Sequence, residues 1–400
     1  MVVVQECAAT IFVKSTCNDM KFKTILLQAA IVGAVALCYS CEKDGGTSGD
    51  NGGGADEEVT DPVISSYFTK FDNKAVYDDK MTITGKNFAE DKSGNIVTFN
   101  DVKASVLSAS ATELTVKVPR IEEPHAVVCV KVGGKQSNRR AVYYDRRRCD
   151  SVMLFQGAKV ELLRKGVEWK QLITTWNDAP RSINVVSITP SATNKLGIAL
   201  PSSLATTSQT SQENGALVGI NASYFGTTSS GFVRIDGVDV CAGNSYSESN
   251  SNRNDGVYVF NNNVPNIKAV KDNKAAAALS DKNVQCCGPL LMIDGENIAQ
   301  KDEDHCNVTH PRTIVGVTED GRVLFVVVDG RFEGKAVGMS TTMLQELMYL
   351  MGAKHALNLD GGGSSTMYIK DKGVVNHVCN SGSTWDKVSE RKVSSILYVK

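Results

Sequence analysis

The sequence predicts two β-rich domains, an all-β sandwich at residues 61–145 and a larger, β-rich α+β domain at residues 151–400. Short strand-like runs separated by turn residues, without a helical stretch, occupy the first range. The second range combines long apolar runs typical of buried strands with an amphipathic helix at residues 341–351. Once the N-terminal segment is set aside, roughly 340 residues remain, enough for about two domains.

The first 41 residues have the features of an export signal. Two lysines and an apolar stretch at residues 24–37 lead to Ser40 and Cys41. We expect translation to start at Met20, which makes residues 1–19 an upstream extension. The segment resembles a Bacteroides-type lipoprotein signal with Cys41 as the lipidated residue. This predicts an exported protein held by its lipid at the outer membrane or cell surface of a Gram-negative bacterium, with residues 42–60 as a Gly-rich flexible spacer.

Composition argues against several classes of protein. The chain has 43 basic and 44 acidic residues, so no broad electropositive surface for nucleic acid is expected. A local arginine cluster at residues 139–148 is interpreted as a solvated linker. Seven cysteines follow Cys41, and because none forms paired CxxC units, a structural zinc site is not expected. An exported location permits one or more disulfides among them.

The strands of the first domain carry a recognisable pattern. Met81–Thr84, Ile96–Phe99, Leu114–Val118 and Ala126–Val130 are short β-like runs spaced by turns. Together with Asp61–Ile64 they resemble the IPT/TIG immunoglobulin-like module. No cluster of acids, bases or metal ligands stands out there. The resemblance implies a spacer or an accessory sugar-binding domain, and places catalysis in the second domain.

The most informative stretch of the second domain runs from Asn358 to Ser365. It places Asp360, three consecutive glycines and two serines directly after an apolar, strand-like run. Consecutive glycines predict a sharp turn or a backbone lying against a ligand, and free amides with hydroxyls suit an oxyanion. The lack of a following Lys argues against a P-loop, and the lack of Gly two residues after Ser364 against a serine-hydrolase elbow. A glycine-rich hairpin without chemistry is the alternative.

A second group of candidate residues lies on a predicted hairpin. The runs at residues 311–318 and 323–331 flank Asp320–Gly321 and read as two antiparallel strands. The outer ends of such strands lie side by side, which predicts that Arg312, Asp329 and Arg331 share one neighbourhood. The alternative is an ordinary cross-strand ion pair.

These motifs, in this order, resemble the phosphodiester glycosidase family, which includes the enzyme that uncovers mannose 6-phosphate by removing N-acetylglucosamine. The matching elements are Asn-x-x-Tyr-Phe at residue 221, Gly-Pro-Leu-Leu at 288, Arg-Thr at 312, Asp-Gly-Arg at 329, the glycine turn and Glu-Arg at 390. The resemblance implies hydrolysis of a sugar linked through its anomeric carbon to a phosphodiester, possibly N-acetylglucosamine. It also implies a site formed by the following matching positions: Arg312, Asp329, Asp360, Ser364, Ser365 and Glu390.

Chemistry assigns provisional roles to these residues. Cleaving an anomeric C–O bond builds positive charge on the sugar. A carboxylate can stabilise that charge, attack the anomeric carbon as a nucleophile, or activate the water that attacks this carbon. Asp360 is the first candidate, and Asp329 or Glu390 would activate water or orient an arginine. Candidate phosphate ligands are Arg312, Thr313, Arg331, the amides of Gly361, Gly362 and Gly363, and the hydroxyls of Ser364 and Ser365. Candidate sugar contacts are Asn221, Tyr224, Asn376 and Arg391.

Two further expectations concern ligands and alternatives. The expected partner is a phosphorylated carbohydrate or glycan. No cofactor is firmly expected, although a divalent cation bridged by Asp360 and Asp329 is left open, without a calcium-loop spacing to support it. The alternative functions are a surface lipoprotein that binds carbohydrate without turnover, and a hydrolase of phosphate-linked cell-surface polysaccharide.

Overall fold

The computed structural model describes residues 60–244, 253–380 and 384–400. Cys41, the export signal and the spacer up to residue 59 lie outside the described residues, so those predictions remain predictions. Within the described ranges, no helix combines the length and apolarity needed to cross a membrane.

The first domain is the predicted β-sandwich. Its strands are β1 Val63–Phe68, β2 Lys80–Lys86, β3 Asn95–Phe99, β4 Val102–Lys103, β5 Ser105–Ala109, β6 Glu113–Lys117, β7 His125–Val132, β8 Lys135–Gln136 and β9 Arg140–Tyr143. One sheet has the order β1-β2-β6-β5 and the other β4-β3-β7-β8, with β9 also on β7. Alternate residues such as Met81, Ile83, Leu114 and Val116 are fully buried between the sheets. The prediction of an all-β sandwich is confirmed.

The arginine cluster after this sandwich is a helix, so the interpretation as a solvated linker was wrong. Helix α1, Arg146–Leu154, is capped by the Asp145 carboxylate, which accepts a hydrogen bond from the Arg148 amide. Arg146 donates to the Tyr77 hydroxyl across 2.7 Å. Cys149 is buried in the sandwich core, while Leu154 packs against the core of the second domain. Packing against both cores, rather than the charge of its arginines, determines that this segment is helical.

The second domain contains twenty strands and four helices within the described residues. Its first strands are β10 Lys159–Arg164, β11 Val167–Trp176, β12 Ala179–Ile188, β13 Leu196–Ala199, β14 Ala205–Thr206, β15 Val218–Asn221, β16 Val233–Ile235, β17 Val238–Cys241, β18 Gly256–Asn261 and β19 Val264–Ala269. The rest are β20 Asn283–Cys287, β21 Leu290–Ile293, β22 Glu296–Asn297, β23 Arg312–Thr318, β24 Val323–Val328, β25 Ala353–Asn358, β26 Met367–Ile369, β27 Gly373–Val374, β28 Lys392–Val393 and β29 Ile396–Val399. The helices are α2 Thr207–Glu213, α3 Asn273–Ala277, α4 Asp304–Asn307 and α5 Thr341–Leu350.

Three sheets build the body of this domain. The first has eight strands in the order β10-β11-β12-β24-β23-β25-β21-β22. The other two have five strands each, β13-β29-β15-β26-β27 and β17-β16-β20-β18-β19, and β14 pairs with β28. The main core lies where the three sheets meet, with Val315 and Leu357 from the first, Ile220 and Met367 from the second and Tyr258 from the third. The ends of β15, β23 and β25 converge beside this core.

The predicted helix and hairpin are both present. Helix α5 begins after Ser340, whose hydroxyl accepts a hydrogen bond from the Met343 amide, and Gly352 follows it with φ +81°. Its buried face packs Leu344 and Leu347 on the eight-stranded sheet. Strands β23 and β24 pair antiparallel around the expected Asp320–Gly321 turn. The cysteines at positions 129, 149, 241, 286, 287, 306 and 379 all carry free thiols.

Candidate functional site

The glycine turn follows β25 directly and lies against the backbone of Pro311. The Gly362 amide donates to the Pro311 carbonyl across 2.9 Å. A Cβ atom at Gly361 would lie 2.7 Å from that carbonyl oxygen, too close for any side chain. Gly362 has φ +61°, in the left-handed region that favours glycine. The glycines form the sharp turn that the sequence predicted, and they also allow a close approach to the Pro311 backbone, which brings Asp360 beside the start of β23.

A cavity of about 180 Å³ opens over this turn. It is walled by four arginines, two histidines, one tyrosine, one carboxylate and the three glycines: Tyr224, Arg253, His305, His310, Arg312, Arg331, Asp360, Gly361, Gly362, Gly363 and Arg391. Two larger surface grooves, of about 690 and 580 Å³, lie elsewhere and contain no comparable cluster of arginines. Chemistry, not size, makes the smaller cavity the candidate site.

Asp360 is the carboxylate in the wall of this cavity. Burial raises its pKa to about 6, against a weaker opposing effect of the Ser364 hydroxyl, Arg391, the Gly361 amide and Arg253. The carboxyl group is therefore mostly ionised at pH 7, and it binds a proton more readily than an exposed aspartate. Such a group can act as a nucleophile or as a general base near neutral pH.

Arg312 is 1% exposed and has no carboxylate partner among the described residues. Its Nε donates to the Met339 carbonyl across 2.9 Å, and one terminal nitrogen donates to the carbonyls of His305 and Val308. Burial lowers the pKa of its guanidinium group. These carbonyls orient the side chain but leave its full positive charge uncompensated, as expected for a residue that binds an anion.

Two more arginines lie against the glycine turn. A Cβ atom at Gly362 would lie 3.2 Å from an Arg331 terminal nitrogen, and one at Gly363 would lie 2.5 Å from an Arg391 terminal nitrogen. Arg331 also approaches His310 Nδ1 at 3.4 Å. The absence of glycine side chains thus lets both guanidinium groups pack directly on the turn. Of the three residues predicted to share one neighbourhood, Arg312 and Arg331 line the cavity, whereas Asp329 does not.

A hydrogen-bond chain fixes Tyr224 and His305. The Asn358 amide nitrogen, which can only donate, lies 3.1 Å from the Tyr224 hydroxyl, and that hydroxyl lies 3.1 Å from His305 Nε2. Burial, with Arg253, Arg312 and His310, lowers the pKa of His305 to about 3, so its ring is neutral. The hydrogen bond between the Tyr224 hydroxyl and His305 Nε2 can run in either direction, because a neutral imidazole nitrogen can donate or accept. The ring of Tyr224 is covered by Arg253, at 4.9 Å, which leaves its hydroxyl rather than its face for a ligand.

Several of the predicted ligands lie beneath the cavity rather than in its wall. The Asn221 amide donates to the Asp360 carbonyl and accepts from the Thr313 hydroxyl and the Thr366 amide. The Asn376 amide joins the Met367 amide and the Ser365 carbonyl. Asn221, Thr313 and Asn376 are completely buried, so they support the turn instead of contacting sugar or phosphate as expected. Ser364 and Ser365 are also buried, and neither hydroxyl has a hydrogen-bond partner among the described residues.

The two other predicted carboxylates are held by protein groups. Asp329 is completely buried and accepts hydrogen bonds from the Ser182 hydroxyl, the Asn376 amide, and both the backbone and Nδ1 nitrogens of His377. Glu390 accepts from the amide and hydroxyl of Ser208 in the first turn of α2. Neither residue lines the cavity. Each holds neighbouring structure through hydrogen bonds, and no described arginine is among its partners, so the expected role of orienting an arginine is not the one seen.

A bridging cation receives no structural support. Asp329 is committed to His377 and Asn376, while Asp360 faces arginines. In the ranges that the structure describes, no three His, Cys, Asp or Glu residues come together as metal ligands.

Three residues of the cavity wall were not predicted from the sequence. His310 could have been found, because it stands two residues before Arg312. Arg253 and His305 lie outside every recognised motif and reach the cavity through tertiary packing on Tyr224.

Comparisons with known proteins agree with the motifs. Residues 214–400 match the model of the phosphodiester glycosidase family, and residues 62–144 match that of the IPT/TIG domain. A SPbeta prophage-derived protein of Bacillus subtilis, YomE, is 36% identical over 70 residues. That stretch covers 18% of this chain and only 11% of the relative.

Solved structures resemble the chain more distantly. The zebrafish N-acetylglucosamine-1-phosphodiester alpha-N-acetylglucosaminidase catalytic domain, auto-inhibited by its pro-peptide, has a TM-score of 0.49 and 16% identity. The match covers 60% of this chain and 87% of that one. A protein from Synechocystis has a TM-score of 0.45 and 14% identity, covering 85% and 80% of the two chains. Neither likeness adds to the family matches, from which it follows that residues 214–400 form a phosphodiester glycosidase family domain and residues 62–144 an IPT/TIG domain.

Proposed function

We propose that this cavity hydrolyses the anomeric C–O bond of a sugar 1-phosphodiester, releasing free sugar and a phosphomonoester. The observation that carries the proposal is Arg312, a buried cation without a carboxylate partner among the described residues, in the same cavity as the half-buried Asp360. Burying an unpaired charge is costly, and a bound anion removes that cost. A carboxylate and a phosphate-binding cation in one cavity are the two groups that this reaction needs.

Asp360 acts at the anomeric carbon. As the C–O bond breaks, both its electrons leave with the phosphate oxygen and the sugar gains oxocarbenium character. The carboxylate either attacks that carbon or removes a proton from the water that does. In both cases water supplies the new hydroxyl group of the sugar.

The arginines act at the leaving group. A phosphomonoester is a weak base, so it departs as an anion without needing a strong general acid. Arg312 and Arg331 stabilise the developing negative charge through hydrogen bonds from guanidinium nitrogens. His305, a neutral imidazole, lines the same cavity.

We also propose a sugar, a partner and a cellular location for this protein. N-acetylglucosamine is the first sugar to test, with a phosphorylated carbohydrate or glycan as the natural partner. Cys41 is the proposed lipidation site, which would place the protein at the outer membrane or cell surface. Incorporation of an alkyne-labelled fatty acid by wild-type cells, but not by a Cys41→Ser strain, tests the anchor.

The function is tested with the soluble chain from residue 41 carrying Cys41→Ser. Release of free sugar and binding are both measured on 1-phosphodiesters of N-acetylglucosamine, glucose, galactose and mannose, on the uncharged methyl glycosides and on a phosphate-linked polysaccharide. We expect release from a phosphodiester by wild type and none by Asp360→Asn. Binding without release by wild type would favour a carbohydrate-binding protein, and release confined to polymers would favour a polysaccharide hydrolase.

A further inference from the structure

We propose that the cavity accepts a substrate with two acidic groups, a phosphate on the anomeric carbon and a second anion close to it. This inference rests on the proposed function and deepens it by naming the charge of the substrate. It follows from the charges in the cavity wall and from their partners.

The wall carries more positive charge than a phosphodiester can neutralise. Four arginines and one carboxylate line it, which leaves three positive charges. Burial, with nearby arginines, lowers the pKa of both His305 and His310, so neither imidazole adds a charge at pH 7. A phosphodiester brings one negative charge, which leaves two guanidinium groups without a counter-ion.

Residues 60–244, 253–380 and 384–400 do not supply those counter-ions through ion pairs. Among the described residues, arginine ion pairs are formed by other arginines, all outside the cavity: Arg120, Arg146, Arg148, Arg234 and Arg322. The cavity arginines instead meet neutral groups. Arg312 donates to carbonyls, Arg391 donates to the Asn380 side chain across 2.8 Å, and Arg331 approaches His310. Neutral partners orient a guanidinium group without cancelling its charge.

Arg253 is the residue that points to the second anion. Its guanidinium carbon lies 4.9 Å from the ring centre of Tyr224, so ring packing holds it in place. Its Nε is buried and has no hydrogen-bond partner within the described residues. A buried donor without an acceptor is unfavourable, and a ligand oxygen would satisfy it. Because Arg331 and Arg391 already cover the glycine turn, Arg253 extends the cationic wall beyond a single phosphate.

Two kinds of substrate have this chemistry. The second anion is either the other phosphate of a diphosphate bridge or a carboxylate on the sugar ring. In a cavity of about 180 Å³ it must lie next to the first phosphate in either case.

The test compares three compounds built on one sugar skeleton: its 1-phosphate methyl ester, its 1-diphosphate methyl ester, and the uronic acid 1-phosphate methyl ester. Binding to the Asp360→Asn chain is measured by calorimetry at about 0.15 M salt, where charges farther apart than ~8 Å are largely screened. We expect at least one doubly charged compound to bind about tenfold more tightly than the singly charged one. The doubly charged compound that binds more tightly identifies the source of the second anion.

Added substitutions locate the effect. Arg253→Gln should reduce the preference to about twofold, while Arg253→Lys, which keeps the charge, should preserve most of it. Arg322→Gln removes one positive charge from an exposed pair with Asp320 outside the cavity and should leave the preference unchanged. Retention of the preference by Arg253→Gln, or its equal loss in Arg322→Gln, would overturn the assignment.

Wild-type turnover separates this inference from the function beneath it. Sugar release by wild type, together with equal affinity for all three compounds, would refute the second-anion site and support the hydrolase activity. Tighter binding of a doubly charged compound without any sugar release would support the second-anion site and refute the hydrolase activity.

Discussion

The side-chain amide of Asn221 donates to the backbone carbonyl of Asp360 across 2.6 Å, although the two residues are 139 positions apart. The same side chain accepts hydrogen bonds from Thr313 on β23 and from Thr366 after the glycine turn. One buried amide thus ties the ends of three chain segments together and sets the position of the catalytic candidate.

Asn221→Ala should therefore reduce both stability and turnover. It leaves buried donors on Thr313 and Thr366 and the Asp360 carbonyl unpaired, at roughly 1–3 kcal/mol for each lost partner. Thermal unfolding and sugar release measure the two effects. Asn297→Ala, at an exposed position on β22, is the matched control and should change neither. Normal activity in Asn221→Ala would show that the turn does not depend on this amide.

Turnover should follow the ionisation of Asp360. Because burial raises its pKa to about 6, the reactive carboxylate is lost as pH falls below that value. We expect kcat/KM to fall about tenfold for each pH unit below 6. A rate that stays level down to about pH 4.5 would mean that the ionised carboxylate is not required.

Asp360→Asn should make the folded state more stable at neutral pH. A carboxyl pKa raised by folding favours the protonated form, so its stabilisation is complete below the unfolded pKa and is lost as pH rises through about 6. The difference amounts to at most about 3 kcal/mol at pH 7. We expect the variant to unfold at a higher temperature than wild type at pH 7 and at nearly the same temperature near pH 4. An advantage independent of pH would contradict this origin.

His305 should not titrate between pH 5 and pH 8. Burial and three neighbouring basic groups lower its pKa to about 3. Its imidazole proton resonance, assigned by comparison with His305→Gln, should stay constant over that range. Tyr224→Phe removes the hydroxyl that is hydrogen-bonded to Nε2 and should reduce turnover. A sigmoidal shift of the resonance between pH 5 and 8 would show that the ring becomes charged.

Substitutions at Asp329 and Glu390 should differ in how much they reduce the free energy of unfolding. Asp329→Asn disturbs a completely buried carboxylate with four donated hydrogen bonds, and we expect a loss of roughly 3–5 kcal/mol. Glu390→Gln keeps an acceptor for Ser208 and should cost less than about 1 kcal/mol. Urea unfolding of both variants measures the difference. If Asp329→Asn were stable and folded but inactive, Asp329 would instead take part in the reaction.

Local pattern predicted the parts of the site that depend on neighbouring residues in the sequence. The triple glycine indicated a sharp turn, and the Asp320–Gly321 turn fixed the hairpin that carries Arg312 and Arg331. The apolar spacing of α5 and its Ser340 cap were equally local signals.

The remaining features depend on packing that one sequence does not encode locally. Polar residues in a motif can be ligands or buried supports, and burial assigns Asn221 and Asn376 to the second group. Arg253 reaches the cavity only by stacking on Tyr224. Helix α1 looked like a charged linker because it begins with three consecutive arginines, while its buried Cys149 gave too weak a signal.

The roles proposed for the cavity residues all require cleavage between the anomeric carbon and its oxygen, not between phosphorus and oxygen. Hydrolysis of a sugar 1-phosphodiester in ¹⁸O-labelled water, followed by mass spectrometry of both products, distinguishes the two bonds directly. We expect one labelled oxygen in the sugar and none in the phosphomonoester. Label in the phosphate product would show attack at phosphorus and would contradict the proposed roles of Asp360 and Arg312.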